Sequence, residues 1–127
     1  MTRSNHDSYL MMLVRLAEAN GWSGSVQLEY KFHPHRKWRA DLCFVDEKLI
    51  IEVEGGIWTG GRHTSGAGFT KDIEKYNVAT AMGYRILRVS PADLRTHPPK
   101  FIWSFLHLLM PDSQMAERQF MEATSET

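Results

Sequence analysis

The chain reads as an α/β domain: a mixed sheet flanked by helices in the order αβββαβ, followed by an extra C-terminal helix. Three observations predict this. Apolar residues recur at helical spacing on either side of several short alternating runs. The last two of those runs are separated by a helical segment, which makes them parallel neighbours with a right-handed crossover. The 127 residues contain no repeat and no second apolar cluster, so one domain over 1–127 is expected.

Leu10, Leu13, Val14 and Ala17 fall at i, i+3, i+4 and i+7, marking one face of a first helix. Ser4, Asn5 or Asp7 can cap its start, and Asn20-Gly21 can stop it. Three strand-like runs follow: Val26 to Phe32, Ala40 to Val45 and Leu49 to Glu54, with Asp46-Glu47 as a tight turn between the last two. They are expected to form an antiparallel meander. The stretch Gly55 to Gly68 holds six of the nine glycines, which predicts a long loop that is costly to order. Thr70 is a candidate cap for a second helix, with Asp72 and Glu74 in its first turn, and Gly83 ends it. Tyr84 to Val89 is the fourth strand, Ser90-Pro91 opens a short helical turn, and Phe101 to Met110 is a strongly apolar helix. The polar segment 111–127 either frays or forms a weak amphipathic helix.

Composition narrows the function classes. Hydrophobic residues make up 43% and charged residues 24%, which is ordinary for a globular domain and excludes a fibrous or disordered chain. Fifteen basic residues balance fifteen acidic ones, so any electrostatic function must come from local charge separation. Cys43 is the sole cysteine, which rules out an internal disulfide framework and a cysteine-based zinc cluster. No apolar run approaches the roughly 18 residues of a membrane span. A reduced, cytoplasmic protein with no membrane partner is the expectation.

The most informative passage pairs Arg39-Ala40-Asp41 with Ile50-Ile51-Glu52-Val53-Glu54. Carboxylates inside strand runs are unusual, because burying one needs a compensating partner. Alternation puts Glu52 and Glu54 on one face of their strand. A turn centred on Asp46 and Glu47 would set Cys43 opposite Ile50, Asp41 opposite Glu52 and Arg39 opposite Glu54, with Cβ atoms about 4.5–5.5 Å apart. Two carboxylates at that range repel unless a proton or cation lies between them. A hard divalent ion, Mg²⁺ or Mn²⁺, suits such an all-oxygen site. Two ordinary edge-strand acids, with Glu54 paired to Arg39, is the plainer alternative.

Two further features belong to this neighbourhood. Lys75 shares a helical stripe with Lys71, Val78, Ala79 and Met82, so it lies on the face that packs on the sheet and can reach the acids. From Lys31 to Ala40 the chain carries Lys31, Arg36, Lys37 and Arg39 with no acid, and Trp38 adds a stacking surface. Such a run can contact nucleic-acid phosphates, although it is more often a solvated strand end.

The arrangement Asp41…Glu52-Val53-Glu54-Gly55-Gly56, the glycine/histidine loop and Asp72-Ile73-Glu74-Lys75-Tyr76-Asn77, followed by Gly83-Tyr84 and Leu87-Arg88-Val89, resembles the PD-(D/E)XK nuclease superfamily. The resemblance is closest to its small bacterial and phage endonuclease-like branch. It covers about the central half of the chain directly. It implies a restriction-endonuclease-like core and a Mg²⁺-dependent endodeoxyribonuclease of bacterial or phage DNA processing, repair or recombination, with Mn²⁺ as a substitute. It implies a 5′-phosphate and a 3′-hydroxyl product. By the same resemblance, Asp41, Glu52 and the carbonyl of Val53 hold the metal. Glu54 stands where the superfamily pattern has lysine, which implies that Lys75 takes that role from the following helix. Glu54 is then a further ligand, a partner for Lys75 or a water-orienting base. The candidate DNA-binding residues are Arg36, Lys37, Arg39, Arg62, His63 and Lys71.

Three alternatives stand beside this reading. A nuclease-like fold can bind nucleic acid without cutting it, and Glu54 in the lysine position motivates that alternative. His33, His35 and His63 are zinc-ligand types, although histidines flanking Pro34 read more simply as surface residues. The Phe101 to Met110 helix can serve as core, as a protein-interaction face or as a homodimer surface.

Overall fold

A computed structural model of the chain describes residues 3–54 and 66–125. The elements in order are α1 (Arg3–Ala19), β1 (Val26–Tyr30), β2 (Ala40–Phe44), β3 (Leu49–Val53), α2 (Gly66–Ala81), β4 (Arg85–Val89), α3 (Pro91–Leu94), α4 (Ile102–Leu109) and α5 (Gln114–Ala123). The strands form one mixed sheet in the order β1-β2-β3-β4. The first three pair antiparallel, and β4 joins β3 in parallel, as expected of strands joined through a helix.

Strand alternation sends side chains into two separate clusters. Leu42, Phe44, Leu49, Ile51 and Val89 meet Leu10, Leu13, Val14 and Ala17 of α1 and Ile102, Phe105, Leu106 and Leu109 of α4 in the larger one. The predicted face of the first helix is therefore the buried one. Cys43, Ile50 and Ile86 point the other way, where they meet Ala79 of α2 and Met82 just beyond it, together with Phe32 and Tyr84. Burial pushes the Cys43 thiol up to about 12, so it behaves as a small apolar side chain. By the same alternation Asp41, Glu52 and Arg88 belong to the face that α2 covers.

Several boundaries depart from the sequence expectation. Helix α1 begins at Arg3, so Ser4, Asn5 and Asp7 lie within it and do not cap it. Helix α2 begins at Gly66, four residues before the expected cap Thr70. Glycine costs about 1 kcal/mol against alanine in a helix, a penalty that packing of the following turns can override. Strand β1 stops at Tyr30 and does not reach Phe32. Its ladder is irregular one residue earlier, where Glu29 adopts a φ of 49°. Val26 and Leu28 pack on the larger cluster, whereas Tyr30 and its partner Ala40 belong to the α2 side. The β1–β2 ribbon turns over at this point, beside Asp41.

The remaining elements follow the sequence closely. Gly21 and Gly83 both take positive φ, 99° and 93°, directly after α1 and α2. Ser90 caps α3 by accepting the Asp93 N–H at 3.0 Å. The polar tail is an ordered element over most of its length: Ser113 Oγ accepts the Ala116 N–H at 3.1 Å to open α5. Ala116 is buried in the larger cluster, and Phe120 stacks on His107 of α4 with ring centroids 4.8 Å apart. Among the described residues, no helix is long and apolar enough to cross a membrane.

Candidate active site

The β2–β3 hairpin has the expected register. Leu42 pairs with Ile51, Cys43 with Ile50 and Phe44 with Leu49. The turn closes by a 3.2 Å hydrogen bond from the Lys48 N–H to the Val45 carbonyl. Beyond the last pair, side chains take over from the ladder. The Asp41 N–H donates to Glu52 Oε2 at 3.2 Å, and the Val53 N–H donates to Asp41 Oδ2 at 2.8 Å. Each carboxylate is thus held by the backbone of the other's strand.

Lys75 enters from α2. Its Nζ lies 2.6 Å from Glu52 Oε1 and donates a second hydrogen bond to the Arg39 carbonyl at 2.7 Å. Side-chain exposure is 18% for Lys75 and 5% for Glu52, so the pair is largely shielded from water. The Glu52 carboxyl is pushed up to about 7, first by burial and then by the negative charge of Asp41, with Lys75 pulling the other way. The Lys75 ammonium pairs with Glu52, whose neighbour across the strands is Asp41.

Asp41 lies near the start of β2, while Glu52 and Arg88 lie near the ends of the parallel strands β3 and β4. These positions coincide at one edge of the sheet because β2 runs against its neighbour. In open α/β sheets the carboxyl ends of parallel strands are where ligand crevices form.

Glu54 does not pair as expected. Its Oε1 is 3.4 Å from Arg88 Nε, whereas Arg39 lies 3.7 Å from Glu29. The turnover at Glu29 brings that carboxylate to Arg39. Of the roles open to Glu54, partnership with Lys75 is not the arrangement formed, since Lys75 is engaged by Glu52 and Arg39. Arg88 stacks on Tyr76, its guanidinium carbon 4.0 Å from the ring centroid. The Tyr76 hydroxyl is driven upward by burial and then by the charges of Glu52 and Glu54, so it stays neutral. Tyr76 and Arg88 were not among the residues singled out for the site. The signal for Arg88 was its period-two relation to Ile86, which a parallel register converts into a place beside Glu52.

The basic run is less available than its composition implies. Arg36 is ion-paired with Glu74 and lies over Trp38, 3.8 Å from the ring centroid. Trp38 also stacks on Phe32, so it is no open platform for a base. Lys37 and Arg39 are exposed. His33 Nδ1 accepts the N–H groups of His35 and Arg36, each at 3.0 Å. That nitrogen is spent on the turn, which counts against a zinc role. Arg62 and His63 lie outside the described residues, as does the side chain of Lys71.

Among the described residues, no group of three or more His, Cys, Asp and Glu side chains is disposed to hold a metal ion. The carboxylates of Asp41 and Glu52 are the residues that would hold a divalent ion here. What the structure gives for Val53 is its N–H on Asp41, beside the carbonyl that the resemblance assigns. A pair of mutually repelling carboxylates with only oxygen donors fits a hard divalent cation that keeps several waters. No family model, curated protein or solved structure matches this chain.

Proposed function

We propose that this protein is a Mg²⁺-dependent endodeoxyribonuclease that hydrolyses phosphodiester bonds at the Asp41–Glu52–Lys75 site. The observation that carries the reading is the approach of Lys75 Nζ to within 2.6 Å of Glu52, whose neighbour across the strands is Asp41. Two acids from adjacent strands and one lysine from the following helix supply the charges that hydrolysis of a phosphodiester demands. The restriction-endonuclease-like arrangement of the core belongs to the same proposal.

Asp41 and Glu52 would hold Mg²⁺ or Mn²⁺. A bound ion of this kind lowers the pKa of water and offsets the charge that grows on the phosphate. The chain's own groups do the rest. Lys75 is fixed by two acceptors, so its remaining N–H can orient a water or donate to a phosphoryl oxygen without first being ordered. The Arg39 carbonyl and Glu52 hold that ammonium aimed. Backbone N–H donors on Asp41 Oδ2 and Glu52 Oε2 limit both carboxylates to one rotamer, which prepays part of their ordering cost. Exposed Lys37 and Arg39 would supply basic contacts for a DNA backbone.

A non-cutting nucleic-acid-binding module is the second reading. It is favoured by the small donor set among the described residues and by the protein hydrogen bonds both carboxylates already accept. The two readings separate when plasmid, single-stranded and branched DNA are incubated with the protein in Mg²⁺, Mn²⁺ or EDTA. The enzyme reading expects metal-dependent cleavage that Glu52→Gln abolishes. Binding with no cleavage under any metal refutes it in favour of the module.

A further inference from the structure

We propose that Arg88 is a phosphate-binding residue, which Tyr76 and Glu54 orient toward a nucleic-acid backbone running past the Asp41–Glu52–Lys75 site. This inference rests on the reading above for its ligand class, but it is argued from different residues. Arg88 pairs with Glu52 in the parallel β3–β4 register, so the two side chains leave the sheet on one face, next to each other. Its guanidinium carbon lies over the Tyr76 ring, 4.0 Å from the centre, a cation–π contact that restrains the group. Glu54 Oε1 lies 3.4 Å from Arg88 Nε and accepts no hydrogen bond. The acid therefore attracts the guanidinium without taking a hydrogen bond from it.

Among the described residues, the two Nη groups of Arg88 donate to no protein acceptor, and 53% of the side chain is exposed. An arginine held by its stem and its face, with its forked edge open, matches the bidentate geometry of a phosphate. A purely structural arginine would instead spend its Nη donors on carbonyls, as Arg85 does with Leu108 and Glu47. The position next to two repelling carboxylates gives the charge a use there. A phosphodiester drawn toward Asp41 and Glu52 needs a cation on its outer side.

The test is the salt dependence of binding to a short DNA duplex, measured by fluorescence anisotropy in EDTA so that no cleavage is required. A phosphate contact contributes about 0.9 to the slope of log affinity against log salt. Arg88→Gln is expected to weaken binding roughly tenfold and to lower the slope magnitude by about one. Arg88→Lys is expected to keep the slope while losing part of the affinity, because the charge stays and the fork does not. Lys100→Ala, remote from the site in sequence and 76% exposed, serves as the comparison and should leave both quantities unchanged. An unaltered slope in Arg88→Gln overturns the inference, and so does a wild-type protein that binds no DNA. Cleavage by wild type with an unaltered Arg88→Gln slope would leave the nuclease reading standing and remove only this one. A lowered slope without cleavage under any metal would do the reverse.

Discussion

At the scale of single residues, Glu52 decides what the site can do. Its burial is offset by Lys75 on one oxygen and by the Asp41 N–H on the other, yet its carboxyl still titrates near 7. An unfolded glutamate releases its proton near 4.5, so between those values the native state binds more protons than the unfolded one. This group's contribution to stability is therefore greatest below about 4.5 and declines as pH rises to about 7. Urea unfolding in EDTA at about pH 5 and about pH 8 should show that decline in wild type and a flatter profile in Glu52→Gln. Parallel profiles would contradict it. Lys75 acts on the same pair from outside the sheet. Lys75→Met is expected to slow cleavage by about 100-fold while leaving DNA affinity in EDTA nearly unchanged, a split that single-turnover kinetics and anisotropy together resolve. Turnover at the wild-type rate would remove Lys75 from the mechanism.

At the scale of elements, β2, β3 and α2 each deliver one member of the constellation, and their geometry was legible to different degrees. The hairpin register could be read because Asp46-Glu47 fixes the turn and a one-residue slip would bury the wrong face. Lys75 could be read because its stripe shares Ala79 and Met82, which pack on the sheet. The partners of Arg39 and Glu54 could not. They depend on the positive φ of Glu29 and on the neighbouring strand β4, and neither leaves a mark in the local pattern. Helix α2 starts earlier than its sequence implies because propensity weighs each glycine alone, whereas a helix gains from every turn already formed. The polar composition of 111–127 is compatible with either fraying or a helix, and Ser113 favours the helix by accepting the Ala116 N–H. Ser113→Ala should lower stability by about 1 kcal/mol, read by chemical denaturation, with no change in cleavage. An unchanged unfolding midpoint would mean that the cap does not hold α5 in place.

At the scale of the whole molecule, two apolar clusters clamp a four-stranded sheet and leave one edge of it polar. The larger cluster, with Phe44 and Phe105 fully buried at its centre, supplies rigidity on the face away from the site. Phe105→Ala is expected to cost about 3–5 kcal/mol of stability in a denaturant melt. A loss below about 1 kcal/mol would mean that the packing around α4 contributes little. The mixed topology was legible because a helix between two strand runs requires a parallel pair, while the site edge emerges only when the antiparallel β2 is laid beside it. That edge brings Asp41 and Glu52 together with Lys75, and the proposed function places a divalent ion between the two carboxylates. Calorimetric titration of Mn²⁺ into the protein at about pH 8, above the value of about 7 to which Glu52 is pushed, tests this most directly. The account predicts one ion per chain in wild type and none in Asp41→Asn. Absence of binding in wild type, or equal binding in the variant, would contradict it.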